Sequence, residues 1–280
     1  MTVGVELAIL LVALGAGILG SMVGLGGGVF MVPIFSAFLG IPLKTAIAAS
    51  AVSVVVNSLG GAAVYLRHRM VNLKLGLLLL ISTTLGAILG GLLVLSAPVD
   101  ALRVVFAVTL YAMVAMMLRQ RATAEGAELT DDPLGLRASY YDPARGEEVT
   151  YVPMRVLPGM GLSTIAGVVS GLLGIGGGAV QVPLMNTIMR VPVKAAAATS
   201  VFMVGITVVA SALLYYTAGL ISPEVAAPAI MGVFLGSQTG SRLARRVRGR
   251  VLSRILIVIL LYLATTILLQ AFGIQVPGAR

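Results

Sequence analysis

"GLGGGVFMVP" runs from Gly24 to Pro33, and "GIGGGAVQVP" from Gly174 to Pro183. The same glycine-rich phrase, closed each time by Val-Pro, thus stands twice in the chain at an offset of 150 residues. Working outward at that offset, Pro42 falls on Pro192, Lys44 on Lys194, and Ala46, Ala48 and Ser50 on Ala196, Ala198 and Ser200. Tyr65 falls on Tyr215, Leu85-Gly86 on Leu235-Gly236, and Gly90 on Gly240, without a gap. The chain reads as two homologous halves, 1–120 and 156–280, joined by a polar stretch, 121–155.

What surrounds the glycines is apolar. Of 280 residues, 59% are hydrophobic and 10% charged, and the mean hydropathy is +1.06. Soluble domains carry about 25% charged residues, so this chain cannot cover a water-facing surface. A helix needs about 20 apolar residues to cross a bilayer. Such stretches occur at 3–23, 44–66, 73–96, 99–119, 156–174, 194–217, 223–243 and 252–272. A transmembrane barrel would alternate apolar and polar residues, and "LGLLLLISTTLGAILGGLLVL" at 75–95 does not. The fold expected is an all-α polytopic membrane protein with about eight long helices. Segments 28–40 and 178–190, after the glycines, are too short to cross comfortably and predict two short or re-entrant helices.

Several chemistries are excluded. There is no cysteine, hence no disulfide or thiolate metal site, and His68 is the one histidine. An intramembrane enzyme needs a nucleophile–base pair or a metal cluster, and that inventory is nearly empty; no cofactor or metal is expected. The net charge of +9 resides in short loops beside spans, where it sets orientation, so nucleic acid is set aside as a partner. The start, "MTVGVE", lacks a basic region and predicts a retained first span.

Loop charges orient the halves. Arg67, His68, Arg69 and Lys74 mark one loop of the first half, whereas its counterpart "TAGLISPE" carries only Glu224. The next loop reverses the contrast: the first half has Asp100 and Arg103, the second Arg242, Arg245, Arg246, Arg248, Arg250 and Arg254. By the positive-inside rule matching loops lie on opposite sides, so the repeats are inverted, as in many secondary transporters. Arg119, Arg121 and Arg155 put 121–155 in the cytoplasm and both termini outside.

Within a membrane every backbone N–H needs a partner. Glycines let other atoms approach closely, and a helix beginning after such a turn presents free amides and a positive dipole end. An anion would satisfy those donors, which makes Gly26, Gly27, Gly28, Gly176, Gly177 and Gly178 candidate substrate ligands. Close helix packing is the rival use of the same glycines.

Paired GLGGG…VP and GIGGG…VP loops, each followed by P-x-K and a helix with Ala and Ser, resemble the TauE/SafE sulfite exporter family over nearly the whole chain. The resemblance implies a multi-pass transporter of the cell (inner) membrane that exports sulfite, sulfonates such as sulfoacetate, or related organosulfur anions.

The residues independently favour an anion. Glu6, Asp100 and Glu224 sit near span ends, and no carboxylate lies mid-span for a cation or proton relay. Lys44 and Lys194 are the basic residues tied to the repeat; they either attract substrate or snorkel to headgroups. A monoanion leaving a cell gains about 2.3 kcal/mol per 100 mV, so export needs no coupled ion. Ser50 and Ser200, with Thr199, either donate to an oxyanion or bond back to their helices. Gln181, Asn186 and Asn57 are intramembrane amides, helix–helix glue or substrate donors. The runs "GAILG" (86–90) and "GVFLGSQTG" (232–240) suit close packing within a protomer or across a homodimer, and Tyr65, Tyr215 and Tyr216 read as interfacial anchors. An importer or exchanger of another small organic anion, and a non-transporting assembly protein, remain the alternatives.

Overall fold

A computed structural model describes residues 3–119, 132–143, 145–244 and 249–273. Arg121, Arg245, Arg246 and Arg248, and residues 121–131 of the polar connection, lie outside the described residues, as do the side chains of Arg119, Arg250 and Arg254. The helices are α1 (Val3–Val23), α2 (Gly28–Ala37), α3 (Leu43–Arg67), α4 (Leu73–Ser96) and α5 (Val99–Arg119). After a hairpin, β1 (Ala138–Asp142) and β2 (Glu147–Tyr151), follow α6 (Val156–Leu173), α7 (Gly178–Thr187), α8 (Val193–Thr217), α9 (Pro223–Ala244) and α10 (Gly249–Ala271). Over the described residues six of them, α1, α3, α4, α5, α6 and α8, are long and apolar enough to cross a membrane. α9 forms where a span was expected but carries Ser237, Gln238, Ser241 and Arg242 near its end.

The short helices have local causes. Each follows a glycine turn, holds a proline at its sixth position (Pro33, Pro183), and is ten residues long. At 1.5 Å per residue that is about 15 Å, half of a hydrocarbon core. Pro42 and Pro192 then start α3 and α8, where a missing N–H is harmless. Asn72 caps α4, its Oδ1 accepting from the Leu75 amide at 3.1 Å.

Small residues set the packing. A Cβ built on Gly232, Gly236 or Gly240 of α9 would stand 2.3 Å from the carbonyl oxygen of Leu10, Leu14 or Ile18 of α1. Each step of four on one helix meets a step of four on the other, so α1 and α9 run in the same direction. α4 and α6 do likewise, with Gly86 against Thr164 O and Gly90 against Val168 O, both at 2.1 Å. The runs at 86–90 and 232–240 are thus used inside one chain, backbone against backbone.

α4 also runs alongside α8 in the same direction. Gly76 faces Thr199, Thr83 and Thr207 share a hydrogen bond of 3.1 Å, and Gly91 faces Leu214. The α3–α4 hairpin is closed at its open end by Lys44 Nζ donating to Leu95 O at 3.1 Å. With α3 opposed to α4 and α4 alongside α8, α3 and α8 run in opposite directions.

Two expectations are corrected. The chain is not all-α: among the described residues the polar connection forms an antiparallel hairpin, Ala138 opposite Tyr151 through Asp142 opposite Glu147. Alternation in "ASYYD" turns Tyr140 inward, and Tyr140 and Tyr151 are each 5% exposed and meet edge-to-face. Burial pushes the Tyr151 hydroxyl up to about 12. The hairpin segment is pinned to the helices by Asn72 Nδ2 on Leu136 O (2.8 Å), Lys74 Nζ on Gly135 O (2.9 Å) and the Met154 amide on Met189 O (2.9 Å). Nor are Tyr65 and Tyr215 interfacial anchors. Both are buried, and their hydroxyls donate to Ser21 O and Gly171 O, tying α3 to α1 and α8 to α6. Span-end position hid this, because a long phenol reaches inward from the last turn. Tyr216, beside them, is exposed.

Candidate functional site

The two glycine turns meet back to back in the buried centre. Ser50 Oγ donates to Gly174 O at 2.9 Å, and Ser200 Oγ donates to Gly24 O at 2.9 Å. The contact recurs at the 150-residue offset, each half's serine holding the other half's turn. A Cβ built on Gly28 would lie 2.7 Å from Gly174 O, and one on Gly178 would lie 2.0 Å from Gly24 O. Gly28 and Gly178 are therefore explained by close approach alone. Val54 of α3 and Val204 of α8 flank both turns, touching Gly26 and Gly176.

Gly26, Gly27, Gly176 and Gly177 are glycines for a second reason. Their φ values are 75°, 82°, 85° and 66°, in the left-handed region that a side chain disfavours. Gly27 caps α2 and Gly177 caps α7. The first helical donors are Phe30 onto Gly27 O and Val180 onto Gly177 O, both at 3.0 Å. The Gly178 amide turns back onto Gly176 O at 2.8 Å, and the remaining amides ahead of these donors are those a helix leaves without an internal partner. Two positive helix ends are thereby brought together in apolar surroundings.

Around the second turn the packing opens. Thr83, Ser170, Gly176, Gly177, Gln181 and Thr207 enclose a cavity of about 10 Å³, room for about one water. Gln181 Nε2 donates to Ser163 Oγ at 2.9 Å, while its Oε1 has no partner among the described residues. Ser170 Oγ has none either, although Ser170 is 0% exposed. Among the described residues neither an acidic nor a basic side chain lines this space.

The other expected residues fall elsewhere. Lys44 and Lys194 lie in the first turns of α3 and α8, ten residues before Val54 and Val204. That is about 15 Å along each axis, at opposite ends of the molecule. Lys44 bonds Leu95 O, and Lys194 Nζ pairs with Asp142 Oδ1 of the hairpin at 2.6 Å. Asn186 Nδ2 donates to Val191 O at 3.0 Å in the α7–α8 turn. Asn57 is fully buried, and both its amide atoms lack a partner among the described residues.

Thr83, Ser163, Ser170 and Thr207 were not singled out from sequence. One signal for Thr207 existed: at the 150-residue offset it falls on Asn57, a polar position in both copies of a long apolar helix. Ser170 had no such signal, since its counterpart is Gly20.

The comparisons with known proteins agree on a class. YunE of Bacillus subtilis, a probable membrane transporter protein, is 26% identical over 239 residues, covering 82% of this chain and 86% of that protein. A probable membrane transporter protein of Methanocaldococcus jannaschii is 29% identical over 208 residues, 72% of this chain and 69% of its own. YdhB of Bacillus subtilis, also a probable membrane transporter protein, is 24% identical over 231 residues, with 82% and 86% covered. No solved structure matches the chain. The family model described as sulfite exporter TauE/SafE matches residues 9–267. With that match over nearly its whole length, the chain belongs to the TauE/SafE family of membrane transporters.

Proposed function

We propose that this transporter exports small sulfur-containing anions, such as sulfite, sulfoacetate or related organosulfur anions, through a site where its two glycine turns meet. The observation that carries the reading is the meeting of two helix N-termini in a buried, carboxylate-free centre. Fixed amide dipoles there favour negative charge, and the low-dielectric surroundings magnify their effect. Amides of Gly26, Gly27 and Gly28, of Gly176 and Gly177, and the side chain of Gln181 face the anion, while Gly178, whose own amide donates to Gly176 O, allows the close approach. Ser50 and Ser200 hold the turns in register, and Lys44 and Lys194 supply positive potential toward the two mouths.

The halves 1–120 and 156–280 are, in this reading, inverted repeats about an axis in the membrane plane. Supporting it are the opposed directions of α3 and α8 and the serine–glycine contacts that recur at offset 150. The connection 121–155 then lies in the cytoplasm and both termini outside the cell. Arg69 and Gly219 occupy matching places, so single cysteines there should label from opposite sides of the inner membrane. Labelling from the same side would overturn the inverted arrangement.

Uptake of labelled sulfite or sulfoacetate into proteoliposomes tests the transport reading. Flux that follows an inside-positive potential and competes with other organosulfur anions supports it. Vesicles as tight to these anions as protein-free ones would overturn it.

A further inference from the structure

The two turns share a backbone and differ in what lines them, and the cavity belongs to the second. Four observations converge there. The ten-residue helix α7 begins at its edge with Gly177 as cap. Among the described residues Ser170 Oγ is buried and unpartnered, and so is the Oε1 of Gln181, a residue 2% exposed. Thr83 and Thr207 bond each other across the cavity. All the polar groups are neutral.

We infer that the anion binds in this cavity beside the second turn, between Thr83, Ser170, Gln181 and Thr207 at the N-terminus of α7, and that the site takes singly charged oxygen-bearing anions in preference to doubly charged ones. This rests on the anion-transport reading above and narrows it. Leaving a hydroxyl and an amide oxygen buried without partners is unfavourable, and a ligand with several oxygens relieves it. Ser170 Oγ–H and the amides at the head of α7 that no carbonyl takes up donate to those oxygens. The Gln181 amide can turn over, because Ser163 Oγ can either accept from it or donate to it. Gln181 therefore presents N–H to a bare oxygen or C=O to a protonated one. The anion enters by taking the place of the Thr83–Thr207 bond, which widens a space otherwise sized for one water.

Charge selection follows from the lining. Desolvation of an ion rises with the square of its charge, about fourfold from a monoanion to a dianion. Hydrogen bonds from neutral donors and a half-charge at a helix end rise only in proportion to the charge. Without a lysine or arginine at the cavity, the second charge is undercompensated. Lys194, held by Asp142 about 15 Å along α8 from Val204, does not supply it.

Isothermal titration of the purified full chain with sodium methanesulfonate and with sodium sulfate, at one ionic strength, tests this. Methanesulfonate should bind one per chain and at least tenfold more tightly than sulfate. Ser170→Ala and Gln181→Met should each weaken methanesulfonate about tenfold. Sulfate binding as tightly as methanesulfonate in the unmutated protein would overturn the charge preference, with no variant needed. Unchanged methanesulfonate affinity in both variants would overturn the site while leaving anion transport intact. Absence of binding by methanesulfonate, sulfate and sulfite alike would remove the transport reading and this inference together.

Discussion

Gly24–Gly28 and Gly174–Gly178 make the same turn, end in the same left-handed cap and are held by the same serine-to-carbonyl bond. Their neighbours differ. Where the second turn is lined by Ser163, Ser170 and Gln181 of its own half and by Thr83 of the first, the offset of 150 puts Ala13, Gly20, Met31 and Val233. A Cβ built on Gly20 would lie 2.1 Å from the Gly27 amide, so α1 is pressed onto the first turn. In the second half Ser170 occupies that place, and a Cβ on Gly177 would meet its Cβ at 3.0 Å. An unpartnered buried polar group costs about 1–3 kcal/mol. Gly20 and Met31 leave no such group at their places, and the unpartnered amide of the first half, Asn57, stands instead at the place of Thr207. Backbone symmetry is thus the structural device, and the departure from it marks the chemistry.

The largest effect should strike the shared part. Gly28→Ala and Gly178→Ala each drive a methyl into a backbone carbonyl that cannot retreat, since it belongs to the opposing turn. Both should lose more than about 3 kcal/mol, read as loss of monodisperse protein on purification. A Gly178→Ala variant that purifies and melts like the parent would show that the turns need not touch.

Next comes the unshared part. Gln181→Met and Met31→Leu are close to volume-conserving at matching places in the two halves. Proteoliposome flux should fall tenfold or more for Gln181→Met and stay within about twofold for Met31→Leu. Equal losses would restore symmetry to the function.

Ser50→Ala and Ser200→Ala sharpen the comparison from the other side. Each leaves a buried glycine carbonyl without its hydroxyl donor, at about 1–3 kcal/mol. Their melting temperatures in detergent should drop by similar amounts. A drop confined to one would mean that the two cross-links do not carry equal load.

Much of this is legible in the amino-acid sequence itself. The offset of 150, the glycine turns and the apolar runs placed α2 and α7 after the turns, and most long helices, because backbone demands at glycine and proline are local. What was illegible depends on distant partners. Ser50 and Ser200 were equally consistent with bonding their own helices, and only the meeting of the turns assigns them Gly174 and Gly24. The hairpin at 138–151 was hidden by a charge-rich composition, although its alternation buries Tyr140 and Tyr151. Ser170 reads in sequence as one more small residue of a packed helix, and its missing partner is visible only in three dimensions.

The smallest expected difference separates Lys44 from Lys194. Repetition at the same place argues for a shared role, yet their partners are unlike. Lys194 is 18% exposed in its side chain and pairs with Asp142, whose side chain is 4% exposed, at 2.6 Å; Arg145 stands 3.9 Å from the same carboxylate. Removing one member of a fully buried pair costs about 3–5 kcal/mol. Here Arg145 and partial solvation blunt the loss, so Lys194→Gln should cost about 1–2 kcal/mol by thermal unfolding, less any screening by salt. Lys44→Gln gives up a hydrogen bond to Leu95 O at an exposed position and should stay within about 0.5 kcal/mol. Asp142→Asn supplies the control. In a double-mutant cycle its loss should be non-additive with Lys194→Gln and additive with Lys44→Gln. If both lysines prove additive with Asp142→Asn, the hairpin is not latched through Lys194. If either glutamine variant also weakens methanesulfonate binding tenfold at constant ionic strength, that lysine's charge reaches the centre. The preference for singly charged anions would then have to be argued from a site that contains it.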